Sequence, residues 1–145
     1  MSAVLRIGVI GGSGLYEMDG LTDIREETLD TPFGAPSAPY LIGRLEGHDG
    51  VELVFLPRHG RNHQFNPSEV NYRANIFGMK TLGVSWIISV SAVGSLQEEI
   101  VPGHVVVIDQ FIDRTKNRAA TFFENGMVAH ISFGDPVCLK LREIL

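Results

Sequence analysis

The sequence predicts an α/β fold with a largely parallel sheet. Three observations carry that prediction: strand-sized apolar runs recur along the chain, small-residue or cationic loops follow their carboxyl ends, and a helix-spaced segment separates two of them. The first run, Leu5 to Ile10, ends in "GGSG" and reads as a buried strand entering a Gly-rich turn. Glu27 to Pro39, "ETLDTPFGAPSAP", is turn-rich. Tyr40 to Gly47 and Val51 to Pro57 read as two strands joined by the polar turn His48 to Gly50. Pro67 and Ser68 then predict a helix start, with Ser68 as N-cap. Val70, Ala74, Phe77 and Leu82 follow at roughly helical spacing, and Gly83 ends the helix. Val84 to Val90, "VSWIISV", is continuous rather than alternating, as in a strand covered on both faces, and "HVVVID", His104 to Asp109, is another of the same kind. After Asp135 and Pro136 a last helix is predicted, with Val137, Leu141, Ile144 and Leu145 on one face. That stripe runs to the final residue without cap, glycine or polar tail, so the chain is expected to be a fragment.

Composition narrows the function classes. The 145 residues suffice for one domain with a core, and an apolar fraction of 44% is that of a globular protein. A formal net charge of −5 argues against a nucleic-acid partner, because such proteins carry a basic excess. No apolar run approaches the roughly 18 residues needed to span a bilayer, so no membrane is expected. Arg6 leads straight into "IGVIGG", which is too short for a signal-peptide core. The single cysteine, Cys138, cannot form an internal disulfide and fits a reducing cytoplasm.

Three loops hold the candidate chemistry. "GVIGGSGLY", Gly8 to Tyr16, lacks the third glycine of a dinucleotide fingerprint and has no Walker lysine. What remains is a turn whose backbone N–H groups, with the Ser13 hydroxyl, can cradle a phosphate oxygen; the plainer reading is a tight turn that uses glycine only for its left-handed conformations. "LPRHGRNHQFNPSEVNY", Leu56 to Tyr72, is open to four readings: an oxyanion site, a metal site, a phosphohistidine nucleophile or a solvated loop. The metal reading is poor, since His59 and His63 stand in a loop and no third ligand accompanies them. Arg58 and His59 close an apolar strand, which is where open α/β sheets place ligand groups. Arginine offers a permanently charged fork, and a neighbouring imidazole can donate one more hydrogen bond, so phosphate is the natural guest. "SVSAVGSL", Ser89 to Leu96, ends a further strand and can wall the same anion. The charged run Asp109, Asp113, Arg114 and Arg118 reads as a solvated segment.

Taken together, "IGVIGGSGLY", "DTPFGAPS", "PRHGRNH", "PSEVNYRANI", "SAVGSLQEEIVPG", "DQFIDRT" and "AHISFGDPVC" resemble the N-terminal half of 5′-methylthioadenosine phosphorylases, within the trimeric purine nucleoside phosphorylase superfamily. The resemblance covers residues 5 to 145. It implies a central mixed, largely parallel sheet flanked by helices, a homotrimer, and phosphorolysis of a purine nucleoside to free purine and a pentose 1-phosphate. No cofactor or metal is implied, inorganic phosphate being a co-substrate. Ser13, Arg58, His59, Ser91 and Ala92 match the family's phosphate-binding positions. His63 and Pro67 match the loop and 5′-pocket region, and His130 matches a histidine that reaches a neighbour's 5′-methylthio pocket. The aspartate that protonates purine N7 belongs to the half that the resemblance does not cover, so a complementary C-terminal polypeptide is a candidate partner.

Two other readings stand beside this one. Arg58-His59-Gly60 fits the letters of a histidine phosphatase, but there the triplet follows the first strand, and here at least two strands precede it. The exposed stripe Val137, Leu141, Ile144 and Leu145 suits an inactive fragment or a subunit that only binds partners.

Overall fold

A computed structural model describes residues 4–12, 14 and 18–145. They divide into two compact units, Met1–Ala92 and Val93–Leu145.

Among the described residues the first unit is a five-stranded sheet with a helix. Its strands are β1 (Leu5–Gly11), β2 (Leu21–Glu27), β3 (Tyr40–Leu45), β4 (Val51–Pro57) and β5 (Trp86–Ser89), and α1 spans Tyr72–Thr81. The strand order is β2-β3-β4-β1-β5. β1 pairs parallel with β4, from Leu5↔Val51 to Gly11↔Pro57, and parallel with β5, from Ile7↔Trp86 to Ile10↔Ser89. β3 pairs antiparallel with both β2 and β4. The sheet is therefore mixed, and the three parallel strands end on the same edge.

Apolar content explains the central strands. Ile42, Val54, Leu56 and Ile10 alternate onto the face covered by α1, where Met79 and Leu82 close the core with Tyr40. Close approach of helix to sheet needs glycine at two points. A Cβ on Gly8 would lie 3.0 Å from Met79 Sδ, and one on Gly78 would collide with the Tyr40 phenol. The Tyr40 hydroxyl donates to Asn75 O at 2.9 Å, and burial pushes its titration upward. Asn75 and Ser37 exchange hydrogen bonds of 2.8 and 2.9 Å, which pins the turn-rich segment to the helix.

The helix starts later than the sequence predicts. Asn66, not Ser68, organises the first turn: its Oδ1 accepts from Ser68 N at 2.9 Å, and Glu69 Oε2 accepts from Asn66 N at 2.9 Å. This reciprocal box completes a single turn. The chain is then recapped by Asn71, whose side chain accepts from Ala74 N at 3.2 Å and donates to Phe33 O at 2.7 Å. Anchorage to Phe33 holds Asn71 at ψ 79, outside the helical region, and so separates the two turns. Gly83, at φ +73, ends the helix as expected.

β2 has no apolar period and was not anticipated. It is an edge strand, charged and exposed, with a register shift between Thr22 and Arg25 and a left-handed Asp23. On its inner side the buried Glu52 carboxylate receives Arg25 Nη1 at 3.0 Å and Arg6 Nε at 2.8 Å. Arg6 Nη1 also donates to Leu82 O at 2.6 Å, tying the sheet to the helix end.

The unit Val93–Leu145 is built differently. Its regular element is the four-residue α2 (Leu139–Arg142), shorter than the predicted terminal helix. The predicted strand at 104–109 does not form: among the described residues no backbone segment pairs with it, and an extended strand without a ladder leaves its polar groups to water. Local contacts hold the unit, including Phe111 edge-on to Phe133 at 5.0 Å and Gln110 Nε2 donating to Gly134 O at 3.0 Å.

Candidate functional site

The edge where the parallel strands end collects the chemistry. Arg58 N donates to Gly11 O at 3.2 Å and Val90 N to Ile10 O at 2.8 Å, so the exits of β1, β4 and β5 are held side by side. Arg58 reaches across that junction. Its Nη1 donates to Val90 O at 3.0 Å and to Ser91 Oγ at 2.8 Å, and its Nε donates to His59 Nε2 at 3.1 Å.

The loop after β4 is wound tightly enough to hold the imidazole. Gly60, at φ +76, makes the reversal that a side chain would strain. Phe65 N then donates to His59 O at 3.1 Å, and the Phe65 carbonyl lies 2.9 Å from His59 Nδ1. His63, itself left-handed at φ 51, stacks on His59 with centroids 5.9 Å apart and planes 10° from parallel. An open cleft of about 330 Å³ is lined by Arg58, His59, Pro67, Tyr72, Ser89 and Ser91. The Tyr72 hydroxyl donates to Pro67 O at 2.8 Å and fixes that wall.

The structure thus brings together Arg58, His59, Pro67 and Ser91, with His63 stacked behind His59. Ala92 follows Ser91 as an exposed residue. His130 is exposed in the Val93–Leu145 unit. Ser13 lies outside the described residues. Sequence reasoning did not single out Tyr72 as a lining residue, whereas Ser89 opens the hydroxyl-bearing run already read as a wall for the anion. Tyr72 was hidden because the helix start was placed three residues early, which put it inside the predicted helix.

The cleft can hold an oxyanion. It offers a half-buried guanidinium, a hydroxyl and strand-end backbone, and among the described residues no carboxylate lines it. Among the described residues no cluster of three His, Cys, Asp or Glu is placed to hold a metal ion. The phosphohistidine reading finds no support, because both His59 ring nitrogens are engaged, one by Arg58 and the other by Phe65. No helix of the described residues is long and apolar enough to cross a membrane.

Known proteins match this chain over nearly its whole length. The profile of the Phosphorylase superfamily matches residues 6–145. S-methyl-5′-thioadenosine phosphorylase of Geobacter sulfurreducens is 68% identical over 136 residues, which is 93% of this chain and 46% of that protein. The protein of the same name from Thermosynechococcus vestitus is 56% identical over 97% of this chain and 47% of its own length. Among solved structures, a methylthioadenosine phosphorylase from an Antarctic soil metagenomic library superposes with a TM-score of 0.91 at 51% identity, covering 99% of this chain and 49% of that one. Methylthioadenosine phosphorylase from Schistosoma mansoni, solved with adenine, gives a TM-score of 0.86 at 40% identity, covering 97% of this chain and 51% of that one. The chain spans about half the length of the curated relatives it matches.

Proposed function

The chain belongs to the phosphorylase superfamily, and from that premise we propose that it carries the phosphate-binding half of an enzyme that phosphorolyses 5′-methylthioadenosine to adenine and 5-methylthioribose 1-phosphate. The observation that carries this reading is Arg58, set at the meeting of three strand exits with one face on a cleft and its Nη1 on Ser91 Oγ. The identity to relatives bearing the methylthioadenosine phosphorylase name supports the choice of nucleoside.

The chemistry asks for such a site. A phosphate oxygen forms the new bond to the anomeric carbon as the bond to the purine breaks, through an oxocarbenium-like transition state. Phosphate is a weak nucleophile, so the protein's work is to hold and align it. In this reading Arg58, Ser91 and the backbone at Ala92 grip the phosphate together with Ser13, and His59 belongs to the same clamp. His63 and Pro67 shape the loop beside the sugar, and His130 reaches towards a neighbour's 5′-methylthio group in a homotrimer. The purine leaves with a proton at N7, supplied by an aspartate expected in the half of the relatives that this chain does not span. No cofactor is needed beyond phosphate as co-substrate, and the setting is cytoplasmic.

The same reading accounts for apolar surface in the Val93–Leu145 unit. Val105, Ile112 and Ile131 are largely exposed, which suits a surface covered by a complementary C-terminal polypeptide. The test is adenine release from 5′-methylthioadenosine, with and without inorganic phosphate, by the chain alone and mixed with the second half of a close relative. Release that requires phosphate is expected in the mixture. Release that is equally fast without phosphate would make the enzyme a hydrolase and contradict the proposal.

A further inference from the structure

We propose that His59 is a positioning residue for Arg58, locked as its neutral Nδ1–H tautomer, and that the oxyanion takes hydrogen bonds from Arg58 Nη2 and the Ser91 hydroxyl rather than from the imidazole. This inference rests on the phosphate reading of the cleft and changes the part His59 plays in it. On sequence grounds the imidazole is an extra donor to the anion; its surroundings give it another task.

Two partners fix the protons on the ring. A carbonyl oxygen only accepts, so Nδ1, 2.9 Å from Phe65 O, must carry hydrogen. An arginine nitrogen only donates, so Nε2, 3.1 Å from Arg58 Nε, must present its lone pair. Independent contacts on opposite sides of the ring select the same neutral tautomer. Phe65 N donates back to His59 O at 3.1 Å, so residues 59 and 65 are joined by two hydrogen bonds and the ring cannot turn without breaking one. The His63 ring, stacked at 5.9 Å, supports its face.

The consequence falls on the guanidinium. Its Nε–H is occupied by His59, and its Nη1 hydrogens by Val90 O and Ser91 Oγ. Three acceptors spread along two edges of a planar fork determine its orientation. Nη2 has no hydrogen-bond partner among the described residues and is left for the anion. Ser91 Oγ accepts from Nη1, which leaves its own O–H free to donate. The anion thus meets two donors already aligned, at little further cost in side-chain ordering.

The test is 15N NMR of the histidine-labelled chain titrated with inorganic phosphate, together with His59→Phe and His59→Gln. Wild-type His59 is expected to show a protonated Nδ1 and an unprotonated Nε2, and to keep both when phosphate binds. His59→Phe removes the acceptor from Arg58 Nε and should weaken phosphate binding roughly ten- to a hundredfold, the range for losing a hydrogen bond to a charged group. His59→Gln, whose amide oxygen can accept from the same N–H, should restore most of that affinity. Protonation of Nε2 on adding phosphate, or a glutamine variant as weak as the phenylalanine one, would overturn the proposal. A wild-type chain that binds no phosphate would instead overturn the phosphate reading of the cleft. The coupling of His59 to Arg58 would then be upheld or refuted by the Nε2 signature and by whether the Arg58 Nε–H resonance moves in His59→Phe.

Discussion

Residues 51–57 and 104–109 are both short apolar runs of the same character, yet they end in opposite environments. Val54 and Leu56 are 0% and 1% exposed in β4, whereas Val105 is 90% exposed. β4 lies between β1 and β3, so its backbone groups are paired on both sides, and α1 covers its inner face. No described segment pairs with 104–109. The difference teaches that an apolar run is only an offer of core. It is taken up when neighbours satisfy the backbone and a second layer covers the side chains.

That contrast can be sharpened by mutation. Met79→Ala removes a fully buried side chain from between α1 and the sheet and should cost about 2–5 kcal/mol in urea unfolding. Ile131→Ala, at an exposed position of the other unit, should stay within about 0.5 kcal/mol of wild type. Equal losses at the two sites would mean that Ile131 has a covering partner in solution.

A smaller effect is expected at Glu52. Glu52→Gln weakens the hydrogen bonds from Arg25 and Arg6 and should cost about 1–3 kcal/mol, at the lower end because both guanidiniums stay in reach of water. The Arg25 hydrogen bond, with Arg6 beside it, holds the Glu52 carboxyl below its ordinary range. A depressed folded value means that this stabilisation is fully present above the ordinary glutamate range and is lost as pH falls through the folded value. The Gln variant should therefore lose less stability than wild type between neutral and acid pH. A parallel pH profile would break the assignment.

Much of this architecture was legible beforehand, for identifiable reasons. β1, β3 and β4 are apolar runs whose surroundings honour them, and Gly83 stops α1 where a left-handed residue is required. The start of α1 was misread because two asparagines compete for it. Asn66 closes a local box, and Asn71 is recruited by Phe33, thirty-eight residues away in sequence, which no local pattern announces. β2 was invisible because an edge strand need not bury either face. At the candidate site, Arg58 and His59 stood out by their place at a strand exit, and Ser91 by the family resemblance within a run that ends a strand. The tautomer of His59 did not, since it depends on a carbonyl that only the folded loop supplies.

The central claim is that Arg58 serves an anion rather than the fold. Inorganic phosphate should be titrated into wild-type chain and Arg58→Ala by calorimetry, with a thermal melt of each. Removing a charge-assisted fork should weaken phosphate binding by a hundredfold or more, at about 1.5–3 kcal/mol for each hydrogen bond lost. The melt should move by no more than a few degrees, because Arg58 is only half-buried and its removal leaves the core intact. A variant that binds phosphate as wild type does, or one whose melt collapses, would contradict the account and make Arg58 a structural residue.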